Sequence, residues 1–128
     1  MMERYLLVML GGALGSLLRY LISVGMQSWL GSGFPWGTLL VNVLGSYAIG
    51  WVMRGWTAGV VSEEVRWLVG VGVLGGFTTF STFSYETLGL IQRAELGKAV
   101  LYVGLSFALS LGAVALAWRN AEMLQINH

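Results

Sequence analysis

Gly75-Gly76-Phe77-Thr78-Thr79-Phe80-Ser81-Thr82-Phe83-Ser84 interrupts an apolar stretch. Its flanks, Trp67 to Leu74 and Leu88 to Ile91, have the composition of a membrane helix. The segment itself holds two adjacent glycines, five hydroxyl side chains and three phenylalanines. In hydrocarbon every backbone N–H and C=O needs an internal partner. A Gly-Gly pair followed by Thr, Ser and Phe therefore predicts irregular backbone, sheltered by protein and lining a cavity or an ion site.

Working outward, the whole chain is apolar. Hydrophobic residues make up 56% of the 128 residues and charged ones only 10%, against about 25% charged in a soluble domain. The mean hydropathy is +0.74. Such a chain cannot cover a water-facing surface, so it reads as an integral membrane protein. A span takes about 20 apolar residues, and four fit: 5–26, 36–56, 66–91 and 97–118. The fold class is therefore all-α, a single domain over 1–128 with four transmembrane helices. The first apolar run is too long for a signal-peptide core and has no clear cleavage site. Pro35 opens the second helix. Ser62-Glu63-Glu64 reads as a helix start with acids in the first turn. Trp29, Trp36, Trp56, Trp67 and Trp118 fall near span ends, as an interfacial aromatic belt does.

Composition also excludes functions. The net charge of +1 makes no case for nucleic acid, and the absence of cysteine removes disulfides and thiolate metal sites. The only histidine is His128, and no catalytic triad or metal-ligand cluster is evident, so an enzyme is not expected. So small a bundle has little room to enclose a pathway alone, which points to an oligomer.

Arg4, Arg54, Arg66 and Arg119 fall on the side of the termini, Arg93 and Lys98 on the other. This bias is weak under the positive-inside rule. It leans towards cytoplasmic termini and is compatible with insertion both ways round and an antiparallel dimer. A single topology fits the count equally well. Nine residues separate Arg66 from Gly75, about 14 Å of helix. That places Gly75 to Thr79, and hence a break in the third helix, near the midplane of a ~30 Å core. In an antiparallel dimer two such breaks meet at the centre, and their freed carbonyls suit one monovalent cation.

Gly11, Gly12 and Gly15 form a small-xxx-small face on the first helix, joined by Gly45 on the second and Gly104 and Gly112 on the fourth. All are expected to allow close helix approach. Polar residues recur at four-residue spacing, which aligns them on a helix face. Thr38, Asn42 and Ser46 form one stripe, and Tyr102, Ser106 and Ser110 another. Interhelical hydrogen bonding explains an isolated hydroxyl, at about 0.6 kcal/mol per contact. Two aligned stripes beside the Thr/Ser/Phe cluster favour a polar track. Its hydroxyls, amide and phenol are donors, which a small anion losing water needs; a metal cation would seek carboxylates or carbonyls. Phe80 and Phe83, three apart, share a face, and their electropositive ring edges can touch an anion weakly. Core packing explains that spacing too. Arg19 lies within the first span, either snorkelling outward or acting as a fixed charge at an anion vestibule. Glu86 faces an aqueous mouth, pairs with Arg19 or relays protons. A structural or vestibule role is preferred for it, because it lies outside the stripes.

These residues resemble those of the Fluc fluoride channels, also called CrcB proteins. The resemblance rests on Gly11-Gly12-Ala13-Leu14-Gly15 with Arg19-Tyr20, on Gly37-Thr38-Leu39 with Val41-Asn42, and on the Gly75–Ser84 segment with Glu86. It spans essentially the whole chain, and the Gly75–Ser84 motif is its most specific part. It implies a dual-topology antiparallel homodimer in the inner (plasma) membrane, with two fluoride pores. It implies passive export that lowers fluoride toxicity. It further implies a central structural sodium ion on main-chain carbonyls of Gly75 and Thr78. The paired phenylalanines correspond to Phe80 and Phe83, the pore asparagine to Asn42, and the polar track to Ser81, Thr82, Tyr102, Ser106 and Ser110; Arg19 and Glu86 also have counterparts. The alternative is a small four-helix coupled exporter, either a fluoride/proton or a drug exchanger. Drug exporters of this size usually centre on a first-helix carboxylate, whereas this helix has no acid after Glu3. A non-transporting assembly subunit is a third reading, and it would not require aligned stripes.

Overall fold

The structure is a computed structural model that describes residues 1–126; His128 lies outside the described residues. It is all-helical. Four helical stretches are long and apolar enough to cross a membrane: Met2–Leu30, Trp36–Thr57, Glu63–Gln92 and Leu96–Leu124. They form α1 (Met2–Leu30), α2 (Trp36–Thr57), a composite third span, and α6 (Leu96–Ile126). Each runs past the bounds that apolar composition suggests. At 1.5 Å per residue, the 29 residues of α1 reach about 43 Å, more than the ~30 Å hydrocarbon core. Helical hydrogen bonding thus continues into the headgroup layers, where composition alone no longer marks it.

The third span is built of four pieces. A short α3 (Glu63–Val65) is capped by Ser62, whose side chain accepts from the Val65 N–H. Arg66–Val73 is π-helical, α4 covers Leu74–Phe77, and α5 covers Phe80–Gln92. Gly75 and Gly76 therefore lie inside a helical turn, and the two non-helical residues are Thr78 and Thr79. Both are extended, with φ/ψ of −89/156° and −151/126°. The displacement from the glycines to the threonines has a physical reason. Thr79 is a good N-cap: its hydroxyl accepts from the Thr82 N–H at 3.2 Å, which fixes the start of α5 two residues beyond α4.

Close backbone approach seats the third span. A Cβ on Gly15 would strike the Val73 carbonyl, and one on Gly11 would strike main-chain atoms of Leu68, Gly72 and Val73. α1 accordingly packs chiefly on the π-helical segment and α4, and α2 chiefly on α6. On α2, Gly50 lets Ala117 and Val114 of α6 come close, and Gly45 admits the Thr78 side chain. Gly104 and Gly112 do not fit the expectation of close approach within the subunit, since a Cβ at either would meet nothing within 4 Å. The small apolar core joins Leu39, Phe83, Leu90, Ala99 and Tyr102. Most apolar side chains of the spans point outward, including Met9, Leu10, Val100 and Leu111. That outward surface needs lipid or a protein partner to cover it.

Candidate functional site

The site is organised around Thr78 and Thr79. Leaving the helical conformation strands main-chain groups, and α1 and α2 satisfy several of them. Asn42 pairs with Thr79 twice: its Nδ2 donates to the Thr79 carbonyl at 3.1 Å and its Oδ1 accepts from the Thr79 N–H at 2.8 Å. Arg19 Nε donates to the Gly76 carbonyl at 3.0 Å. Two other carbonyls are left without the donors a continuous helix would supply. The Thr79 N–H, due to Gly75, is spent on Asn42. The Thr82 N–H, due to Thr78, is spent on the Thr79 hydroxyl. Gly75 and Thr78 both line an open groove of about 660 Å³ bounded by α2, α4, α5 and α6.

Asn42, Ser46, Phe80, Phe83, Ser106 and Ser110 line the same groove. Two residues of each polar stripe thus share the groove with part of the Gly75–Ser84 segment, whereas Thr38 lines a second cavity and Tyr102 does not line the groove. Phe80 and Phe83 lie 5.6 Å apart between ring centroids, but their settings differ. Phe80 is 72% exposed and Phe83 only 8%. Phe83 also packs on Tyr102 at 5.1 Å and edge-on to Phe107 at 6.0 Å. Tyr102 is fully buried, and its hydroxyl, like that of Ser106 one turn on, has no hydrogen-bond partner among the described residues. Buried polar groups are rarely left unpaired.

A second cavity of about 500 Å³ lies towards the α1–α2 turn and is lined by Ser23, Gln27, Thr38, Thr82, Glu86 and Arg93, among others. Here the Thr38 hydroxyl donates to Glu86 Oε1. Glu86 lies outside the stripes in sequence, yet the fold sets it beside Thr38, a stripe residue. It does not pair with Arg19, whose Nε is turned to Gly76. Ser81 is exposed, its hydroxyl 3.4 Å from that of Thr79. At the same end, Lys98 and then Arg93 hold the Glu95 carboxyl below the usual carboxylate range. Among the described residues no cluster of three or more His, Cys, Asp or Glu could hold a metal.

The residue that sequence reasoning underrated is Thr79. It caps α5, accepts from Thr82 and is clasped by Asn42. A hydroxyl immediately before the apolar Phe80 is the N-cap signal that marks it.

Comparison with known proteins identifies the family. The family model described as CrcB-like protein, Camphor Resistance (CrcB), matches residues 6–118. The fluoride-specific ion channel FluC of Thermus thermophilus is 58% identical over 118 residues, covering 92% of this chain and 94% of that relative. The proteins of the same name from Shewanella sp. and Rhodospirillum centenum are 50% and 48% identical over 115 residues. Those alignments cover 90% and 88% of this chain, and 93% and 90% of the relatives. With the match running from α1 into α6 and through every residue that holds Thr78 and Thr79 in place, the chain belongs to the CrcB family.

Proposed function

We propose that this protein is a fluoride-selective channel, not an enzyme, that lets fluoride leave the cell passively across the inner (plasma) membrane. The names of the similar proteins support that reading. The structural observation that carries it is the pair of buried hydroxyls without a hydrogen-bond partner on α6, those of Tyr102 and Ser106, of which Ser106 lines the groove. An ion that gives up hydration needs replacement donors, and these two are unspent. Ser110 continues the line by one turn. Ser81, Thr82 and the ring edges of Phe80 and Phe83 add donors and weak contacts, so that binding stays loose enough for release. Thr38, Glu86 and Arg19 are accessory: Thr38 and Glu86 line the second cavity, and Arg19 steadies the main chain. The carboxylate beside Thr38 is the one feature that would serve a proton-coupled exchanger.

The channel unit is a dual-topology antiparallel homodimer with two pores. Support comes from the open groove with its exposed Phe80, and from Gly104 and Gly112, whose unfilled approach space suits a partner helix. The interruption at Thr78-Thr79 lies near the bilayer midplane, so two copies would meet there. The carbonyls of Gly75 and Thr78 fit a structural sodium ion. They are oxygen ligands stripped of their helical donors, in an apolar groove without a carboxylate cluster. Sodium bound there would supply fixed positive charge holding the two interruptions together.

The deciding experiment is fluoride efflux from liposomes under a potassium gradient with valinomycin and no pH gradient. Fluoride release with chloride retained is expected. Release that appears only when a proton gradient is imposed would favour the exchanger. Rigorous removal of sodium during purification is expected to impair flux or dimer integrity.

A further inference from the structure

Three arginines at one end of the bundle each lie over an indole, and one differs from the other two. The Arg66 Cζ is 4.5 Å from the Trp56 ring centroid, and the Arg54 Cζ is 5.7 Å from that of Trp118. Both have an acid beside them, hydrogen-bonded in the case of Arg66 and at longer range in the case of Arg54, whose buried Nε makes no hydrogen bond among the described residues. Glu63 Oε2 lies 2.8 Å from Arg66 Nη2, and Glu122 Oε1 lies 3.6 Å from Arg54 Nε. The indoles bind the same carboxylates: Trp56 Nε1 donates to Glu63 at 2.8 Å and Trp118 Nε1 to Glu122 at 3.1 Å. Each unit is therefore an arginine, an indole and a carboxylate.

Arg4 is the exception. Its Cζ lies 5.8 Å from the Trp67 centroid and 5.4 Å from that of Tyr5, so two aromatic faces hold the cation. Among the described residues it has no carboxylate within 4.0 Å, and neither its guanidinium nor the Trp67 indole donates a hydrogen bond. Neither Glu3, its neighbour in sequence, nor Glu64, three residues before Trp67, pairs with it. Arg4 is exposed and Trp67 half-buried. The corner joins the start of α1 to the start of the π-helical segment, where Trp56, Trp67 and Trp118 mark the headgroup layer. No α1 residue lines the groove assigned to the partner copy, so a dimer formed there leaves this corner facing the membrane.

We propose that a phosphate group takes the place of the missing carboxylate, making Arg4, Tyr5 and Trp67 a site for the phosphate of an anionic lipid. The guanidinium offers a planar fork of donors that matches phosphate oxygens two at a time, and the unspent indole N–H adds another. Charge at the membrane surface concentrates anionic headgroups at this depth. At Arg54 and Arg66 a carboxylate already stands in the corresponding place, so of the three arginines Arg4 alone is open to an added anion. The inference is independent of what the channel conducts.

The test uses the full chain in phosphatidylcholine vesicles with graded fractions of brominated phosphatidylglycerol, read by quenching of tryptophan emission. Brominated phosphatidylcholine serves as the neutral reference. The wild-type protein should prefer phosphatidylglycerol, with the preference-bearing part of the emission missing in Trp67→Phe. Arg4→Gln should lower that preference by about fivefold, the net loss of one hydrogen bond to the phosphate. Arg119→Gln, an exposed arginine at the same end without an aromatic platform, should leave it unchanged. Arg4→Lys should fall between, keeping charge but losing the fork. A preference that survives Arg4→Gln, that is equal for both lipids, or that is carried by tryptophans other than Trp67 overturns the proposal. Displacement of brominated phosphatidylglycerol by inorganic phosphate, in wild type only, would keep the site but assign it to a soluble anion.

Discussion

The two halves of the third span differ in how they are held. Before Thr78, the π-helical segment and α4 are pressed backbone to backbone against α1, with Gly70, Gly72, Leu74 and Phe77 buried. After Thr79, α5 buries only Phe83 and Leu90, and Phe80 stands out into the groove. One half is fixed by the absence of side chains, the other by hydrogen bonds and a few rings. The difference teaches where the sequence has freedom. The rigidly seated part lies before the two threonines and the lightly committed face after them.

The comparison can be broken most severely in the rigid half. Gly15→Val puts a branched side chain into the Val73 carbonyl. Overpacking against main chain that cannot retreat costs about 3 kcal/mol or more, so the yield of monodisperse protein in size-exclusion chromatography should collapse. Recovery of normal amounts with normal flux would show that this contact does not seat the span.

Next in size is the clasp between the halves. Asn42→Asp keeps the acceptor for the Thr79 N–H but removes the donor to the Thr79 carbonyl, and it sets a negative charge against that oxygen. Losing a partner for a part-buried carbonyl costs about 1–3 kcal/mol. Thermal unfolding should shift down, and fluoride efflux should fall even in the protein that elutes intact. Unchanged melting with lost efflux would place Asn42 directly on the ion path instead.

Within the lightly held half, the two phenylalanines should separate. Phe80→Ile removes an exposed ring, so stability should hold while fluoride efflux falls about tenfold, roughly 1.4 kcal/mol on the barrier. Phe83→Ile should lower efflux comparably and also cost about 1 kcal/mol of stability, since it reshapes a buried cluster. Equal effects of both substitutions on melting would contradict the exposure difference.

The smallest effect is expected at the far end of α5. Ala94 adopts φ 58°, a left-handed conformation that costs a residue with a Cβ about 1 kcal/mol. Ala94→Gly should raise the melting temperature slightly and leave efflux alone. A fall in stability would mean that the methyl group packs better than its surroundings suggest.

Much of this was legible in one dimension. The four spans follow from apolar run length, because crossing hydrocarbon is a demand on composition that each segment meets alone. Ser62 as a helix cap follows from local chemistry, and the two stripes follow from helical periodicity. The exact place where the third span leaves the helix was not legible. Glycines mark permissive backbone, but the Thr79 hydroxyl and the Asn42 amide together decide which two residues become extended. The role of Arg19 was likewise open between an outward and a vestibular position, and the fold turns its Nε to the Gly76 carbonyl. Gly104 and Gly112 were expected to allow close helix approach, and a Cβ at either meets nothing within 4 Å inside the chain.

The sequence by itself therefore determined the solvent of this protein, the number of its spans and the chemical inventory of its polar stripes. Each of those is a property summed along neighbouring residues. The tertiary structure alone decided the partners. Asn42 finds Thr79 across 37 residues, Thr38 finds Glu86 across 48, and Arg19 finds Gly76 across 57. Those pairings depend on the register between helices. That register is set by how closely glycine-bearing backbones can approach, a relation between distant segments that neither segment carries on its own.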